Sequence, residues 1–81
     1  MRLLYFAWIR ERIGVPSETV ETRARDVAAL IRELAGRDDR YALAFSDLAA
    51  VRVAVNQRLV ELDGSLEDAE EVAFFPPMTG G

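Results

Sequence analysis

The sequence predicts an α+β fold in which a mixed sheet is covered on one face by one main helix, with short extra helices beside it. Three observations carry this prediction: an apolar opening segment, one amphipathic helical pattern near the middle, and later segments in which apolar and polar residues alternate. At 81 residues the chain has room for one domain. Because one main helix can cover only one face of a sheet, the other face is expected to be open.

The first part of the chain predicts a hairpin with a helical insertion. Residues 1–7, rich in Leu, Tyr and Phe, predict a first strand, and residues 8–13 predict a short helix. Gly14 suits the left-handed residue that ends a helix, and Pro16 prevents its continuation. Residues 17–23 predict a second strand, paired with the first.

The main helix is predicted over residues 27–35. One apolar face has the spacing i, i+3, i+4, i+7, formed by Val27, Leu30, Ile31 and Leu34. Asp26 is a suitable N-cap, and Gly36 suits a left-handed residue after the last turn. A shorter helix is predicted over residues 39–45.

Three further strands are predicted at residues 51–56, 59–62 and 70–75. In the first of these, every second residue is Val, which is the period of a half-buried strand. Turns are expected at Asn56-Gln57 and at Asp63-Gly64. Pro76 and Pro77 must stop the last strand, because proline has no amide to donate to the ladder.

Strand alternation divides the apolar residues between two faces of the sheet. The face toward the helix is predicted to carry Leu3, Tyr5, Val53, Val55, Val60, Val72 and Phe74. The opposite face, called the open face below, is predicted to carry Leu4, Phe6, Ala54, Leu59, Ala73 and Phe75. An exposed apolar patch commonly marks a protein interface, and Arg10 suits its rim, with a solvated surface charge as the alternative for this residue. The alternatives are that short helices cover these residues or that the register is shifted by one.

The composition argues against a self-sufficient active site. The chain has no Cys and no His, so it lacks a thiolate nucleophile and the side chain best suited to proton transfer near neutral pH. Its acidic residues are scattered, so no metal ligand set is expected. With a net charge of −4 and no basic stripe, nucleic acid is not expected as a partner. The apolar runs are too short to span a membrane, and a cytoplasmic location is expected.

The domain is predicted over residues 1–75, followed by a flexible Gly-Gly tail over residues 76–81. Pro76 and Pro77 stiffen its start, whereas Gly80 and Gly81 leave its end without side chains. Such an end can enter a narrow channel of a partner and present its carboxylate there. Ordering it costs roughly 1–2 kcal/mol per residue, which a partner's contacts must offset.

The closing stretch EVAFFPPMTGG, residues 71–81, resembles the signature of the molybdopterin synthase small subunits, which are ubiquitin-like sulfur carriers. The segments LYFA at residues 4–7 and AVNQ at 54–57 are also similar to that family, and the resemblance covers essentially the whole chain. One departure is Ala69, where relatives often have Gly, and slight strain is expected in that turn.

The resemblance implies a ubiquitin-like β-grasp fold and a defined chemistry at Gly81. A ubiquitin-activating-type adenylyltransferase would use ATP to adenylate the Gly81 carboxylate. A separate sulfur donor system would then convert the adenylate to a thiocarboxylate. Sulfur would pass from Gly81 to cyclic pyranopterin monophosphate, which yields molybdopterin after two transfers. The chain itself is expected to bind no cofactor.

The resemblance also implies roles for the residues that meet the large subunit of the synthase. Met78, Thr79 and Gly80 would thread the tail into the large subunit's pocket. The expected partner-binding residues are Phe6, Arg10, Leu59, Phe75, Pro76 and Pro77. The chain would act as the sulfur-donor subunit of a sulfurtransferase, with the catalytic groups on the large subunit. A heterotetramer of two small and two large subunits is implied.

Three other functions compete with this interpretation. A ubiquitin-like protein modifier shares the Gly-Gly end, although a chain with no Lys could not extend itself through its own side chains. A sulfur carrier for thiamine synthesis shares the chemistry but usually lacks the Phe-Phe-Pro-Pro approach. A plain interaction module with an inert tail is the third.

Overall fold

The computed structural model describes residues 1–77 and contains five strands and four helical segments in that range. In chain order these are β1 (Arg2–Tyr5), α1 (Ala7–Ile13), β2 (Ser17–Thr19), α2 (Val27–Arg37), α3 (Asp39–Ala44), a 3-10 turn (Leu48–Ala50), β3 (Arg52–Val55), β4 (Arg58–Val60) and β5 (Glu71–Phe75). The sheet order is β2-β1-β5-β3-β4, with β1 and β5 parallel and the other pairs antiparallel. The predicted α+β class with a mixed sheet is therefore confirmed. No helix within residues 1–77 has the length and apolarity to cross a membrane.

The core lies between the sheet and the helices and is centred on β5. Phe74 is completely buried and pairs with Tyr5 of β1 and Val53 of β3. Its ring stacks on Tyr5 with centroids 5.9 Å apart and meets Phe45 at 5.0 Å. The sheet side of the core is the set that alternation predicted: Leu3, Tyr5, Val53, Val55, Val72 and Phe74, with Val60 partly buried against them. The four predicted core residues of α2 are also buried.

The start of α2 is fixed by hydrogen bonds to the first three amides of the helix. The Asp26 carboxylate accepts from the Ala29 amide at 2.8 Å, as the sequence predicts for an N-cap. The amides of Val27 and Ala28 donate to the carbonyls of Gly64 and Leu62 in the loop before β5. Amides that an isolated helix leaves unpaired therefore tie α2 to this loop.

The end of α2 differs from the prediction. Gly36 lies inside the helix, which continues to Arg37, so its expected left-handed role is wrong. The helix ends at Asp38, whose extended backbone also begins α3 and whose carboxylate accepts from the Arg40 amide at 2.8 Å. A capping carboxylate between two consecutive helices makes a left-handed glycine unnecessary.

Several strands are shorter than predicted. β2 stops at Thr19 rather than at residue 23, since Val20 is already opposite Met1, ahead of the start of β1. β4 covers only Arg58–Val60 rather than residues 59–62. The first strand also ends early, at Tyr5, because Ala7 adopts φ of 52° and begins α1.

The turn before β5 is held by Asn56. Asn56 and Gln57 have φ of 49° and 69°, so they form the tight two-residue turn expected between β3 and β4. The Asn56 side-chain oxygen accepts from the amides of Glu70 and Glu71, at 2.9 and 3.1 Å. In that segment the left-handed residue is Asp68, with φ of 59°, so the strain expected at Ala69 falls one residue earlier.

Two glycine substitutions should have opposite effects on stability. Gly14 ends α1 with φ of 99°, and a Cβ there meets only the flexible end of Arg40 at 3.5 Å, so the cost of Gly14→Ala is conformational. We expect a loss of about 1 kcal/mol in the free energy of unfolding. Gly36→Ala lies inside α2 with no atom near the added Cβ, and should gain about 0.5–1 kcal/mol.

Urea unfolding monitored by circular dichroism measures both changes. Equal effects of the two substitutions would contradict the assignment of Gly14 as a left-handed cap and Gly36 as a helical residue.

Candidate partner-binding face

The open face of the sheet carries a continuous apolar row across four strands. In register, Leu4 of β1 lies beside Ala73 of β5, Ala73 beside Ala54 of β3, and Ala54 beside Leu59 of β4. Leu59 is 69% exposed, among the highest values for a large apolar side chain in residues 1–77. Because alanine side chains are short, Ala73 and Ala54 in the middle of the row project less from the sheet than Leu4 and Leu59 at its ends. The predicted assignment of alternate residues to two faces holds. Leu59 is exposed and Leu4 and Ala54 are half-buried, whereas Ala73 is buried.

The apolar row continues toward the point where the chain leaves the sheet. Phe75 is the last residue of β5 and is half-buried, as are Pro76 and Pro77 after it. Phe6 is 46% exposed, and its amide donates to the Phe74 carbonyl at 3.1 Å, which keeps it alongside the end of β5. The predicted stop of the strand at Pro76 is confirmed.

The remaining predicted site residues are Arg10, which the structure describes, and the last four residues of the chain, which it does not. Arg10 is exposed on α1, and its amide contacts the Phe6 carbonyl at 3.3 Å, so it lies one turn beyond Phe6. Its role at the rim stays a prediction. Met78, Thr79, Gly80 and Gly81 lie outside the residues that the structure describes.

The sequence interpretation gave no role to Arg52. This residue precedes Val53 in β3, lies opposite Phe75 in register and is exposed. Because Arg52 stands between Val51 and Val53, the alternation of the strand could have indicated that it lies on the face opposite to the core. Its proximity to the end of β5 depends on strand register, which the sequence pattern does not specify.

The titratable groups with shifted pKa lie in the core on the helix side of the sheet or on α3 and its N-cap. The phenols of Tyr5 and Tyr41 both donate to one carboxylate oxygen of Glu18, at 2.8 and 2.6 Å, which joins β1, α3 and β2. Burial raises the pKa of Tyr5 well above its usual value, and the hydrogen bond that the phenol donates to the Glu18 carboxylate adds to this. Burial followed by the same hydrogen bond also raises the pKa of Tyr41. This cluster supports the sheet and does not reach the open face.

Nothing in residues 1–77 resembles a catalytic constellation. Every buried side-chain nitrogen or oxygen in this range has a hydrogen-bond partner. No three acidic side chains in the same range are arranged to hold a metal ion. The described residues carry a partly exposed apolar face next to the segment that leads into the tail.

The chain belongs to the ThiS family, which it matches over residues 3–81. It is 44% identical to the molybdopterin synthase sulfur carrier subunit of Escherichia coli over 81 residues, covering 100% of this chain and 99% of the relative. It is 38% identical to the protein of the same name from Haemophilus influenzae, with the same coverage. This chain therefore matches each of the two relatives over essentially its full length.

Solved structures confirm the ubiquitin-like β-grasp fold. A putative molybdopterin converting factor, subunit 1, from Pyrococcus furiosus has a TM-score of 0.73 at 32% identity, with 95% of each chain covered. Small archaeal modifier protein 1 of Haloferax volcanii has a TM-score of 0.71 at 21% identity, covering 96% of this chain and 97% of that one. The latter similarity concerns the fold alone.

The two raised tyrosine pKa values predict a loss of stability in alkali. The unfolded chain releases these protons near pH 10, whereas the folded chain retains them to higher pH. Their contribution is therefore fully present below about pH 10 and declines as the pH rises above it. Glu18→Gln removes the negative charge beside both phenols and should make the decline shallower.

Urea unfolding between pH 8 and 11.5, together with tyrosinate absorbance, measures both effects. Full tyrosinate absorbance in the folded chain at pH 10 to 10.5 would contradict the prediction.

Proposed function

We propose that this chain is the sulfur carrier subunit of a molybdopterin synthase and works in molybdenum cofactor biosynthesis. The observation that carries the proposal is the position of the apolar open face directly beside the end of β5, from which the chain leads into the Gly-Gly tail. Membership of the ThiS family and full-length similarity to named sulfur carrier subunits support it.

The proposed chemistry takes place on the Gly81 carboxylate. A carboxylate is a poor electrophile, so its oxygen first attacks the α-phosphate of ATP on an activating enzyme, which releases pyrophosphate and forms an acyl-adenylate. A donor system then supplies sulfur at the oxidation level of sulfide, which attacks the acyl carbon while AMP leaves and so yields a thiocarboxylate. When this sulfur is transferred to cyclic pyranopterin monophosphate, water takes its place on the acyl carbon and restores the carboxylate. Two such cycles supply the two sulfurs of molybdopterin.

In this proposal the described domain binds partners and the partners supply catalysis. The open face docks on the large subunit through Phe6, Leu59 and Phe75. Pro76 and Pro77 direct the tail away from the sheet. Met78, Thr79 and Gly80 then enter the pocket of the large subunit and bring Gly81 into it. The absence of Cys and His from the sequence supports this division, since the chain has no other group on which to carry sulfur.

The rival functions lack a specific observation in their favour. The modifier from Haloferax volcanii resembles this chain only at the level of fold. A thiamine carrier shares the tail chemistry, and the named relatives here point to molybdopterin instead.

Deleting Gly81 should abolish sulfur loading without changing the domain. Gly80 then bears an equally acidic carboxylate, but its carbonyl is withdrawn by about 3.3–3.6 Å along an extended chain. Because reacting atoms must approach to near contact, we expect almost complete loss of thiocarboxylate formation. Intact-mass spectrometry after reaction with activating enzyme, ATP and a sulfur donor detects the replacement of one oxygen by sulfur.

Two controls accompany this experiment. Gly80→Ala keeps the terminus in place and should load more slowly rather than not at all. The full chain with ATP and magnesium alone should form no adenylate. Normal loading of the chain that ends at Gly80 would contradict the proposed role of Gly81.

Substitutions on the open face should weaken binding to the large subunit while the domain stays folded. We expect Phe75→Ala and Leu59→Arg each to cost about 2 kcal/mol of binding free energy, because they remove apolar anchors from the centre of the contact. Leu43→Arg is the matched control, since Leu43 is 58% exposed on α3, away from the open face. Titration calorimetry measures affinity, and thermal melts check the fold.

If Leu43→Arg weakens binding and Leu59→Arg does not, the binding face has been assigned to the wrong side of the molecule.

A further inference from the structure

Arg52 is the charged side chain closest in register to the end of β5. It lies directly opposite Phe75 in the antiparallel pair of β3 and β5. Val51 and Val53 on either side of it are buried, so alternation places Arg52 on the open face with Ala54. It also borders a groove with Leu59 and Glu61 at the outer edge of the sheet. Arg52 therefore lies in the sheet at the boundary between the apolar row and the start of the tail.

The two arginines of the open face have different neighbours. Arg2, at the opposite end of the sheet, lies beside Glu71 in register, so an acidic residue of the same chain is next to it. Arg52 lies beside an aromatic residue, and no ion pair within 4.0 Å involves it in residues 1–77. Glu61 borders the same groove without forming such a pair. Neither arginine forms an ion pair within 4.0 Å in residues 1–77, but only Arg52 lies beside the end of β5.

A partner that covers Leu59 and Phe75 must come close to Arg52. Removing an unpaired guanidinium from water is costly, and the cost is offset only if the partner supplies an acceptor. A carboxylate suits this role best, because it accepts two parallel hydrogen bonds from the planar guanidinium. Apolar contacts are non-directional, so the row from Leu4 to Leu59 does not by itself fix how a partner is rotated on the sheet.

We propose that Arg52 binds a carboxylate of the synthase large subunit beside the entrance to its tail-binding pocket. This inference rests on the proposed function and deepens it by assigning the contact that sets the rotation of the carrier on its partner. The carrier has a net charge of −4, so a partner carboxylate is repelled by most of its surface. Arg52 gives that carboxylate one favourable position, next to the tail.

The test compares Arg52→Gln with the matched substitution Arg2→Gln and the conservative Arg52→Lys. Each full-length variant is titrated with the large subunit encoded in the same genome, at low and at high salt. We expect Arg52→Gln to weaken binding at least fivefold at low salt and to reduce the salt dependence of the affinity. Arg2→Gln should change the affinity less than twofold, and Arg52→Lys should keep the salt dependence of the unmodified chain.

The outcomes separate this inference from the proposed function. Failure of the unmodified chain to bind the large subunit would overturn the proposed function itself. Normal binding of the unmodified chain together with equal effects of Arg52→Gln and Arg2→Gln would overturn the role of Arg52 alone. Thermal melts of the three variants exclude unfolding as the cause of weaker binding.

Discussion

The structure depends on the burial of one face of β5 beneath the helices. Phe74 and Val72 are completely buried in a core cluster that also contains Leu30 and Leu34 of α2. Burial of apolar surface contributes roughly 25 cal/mol per Å², so this one-sided core provides most of the driving force for folding. Residues 1–77 contain no second long helix for the other side. The row from Leu4 to Leu59 is therefore left without a covering helix.

The division of the sheet into two faces could be predicted from the sequence because it depends only on alternation. Tyr5 and Phe74 were assigned to the core and Phe6 and Leu59 to the open face from their positions alone, and both assignments hold. A slip of one residue would have exchanged every one of them. The position of Asp26 as N-cap was equally local, since it depends on a side chain and an amide three residues apart.

The features that were missed depend on residues distant in sequence. Gly36 looks like a helix terminus until Asp38 is seen to cap α3. The length of β2 is set by where β1 begins, not by the β-propensity of residues 20–23. Likewise, the proximity of Arg52 to Phe75 arises from pairing between strands that the chain order separates. The role proposed for Gly81 as the sulfur acceptor comes from family resemblance, and this residue lies outside the described residues.

The central position of β5 also has a mechanical consequence. The segment that leads to the tail continues directly from a strand flanked on both sides, by β1 and β3, rather than from an edge. Ladder hydrogen bonds run across the strands, so a pull applied at Pro77 along β5 loads two ladders in shear, with many bonds bearing the force together. An edge strand pulled away from its single neighbour would instead lose its bonds one after another. A partner that pulls on this tail therefore applies force along the direction in which the domain resists unfolding most.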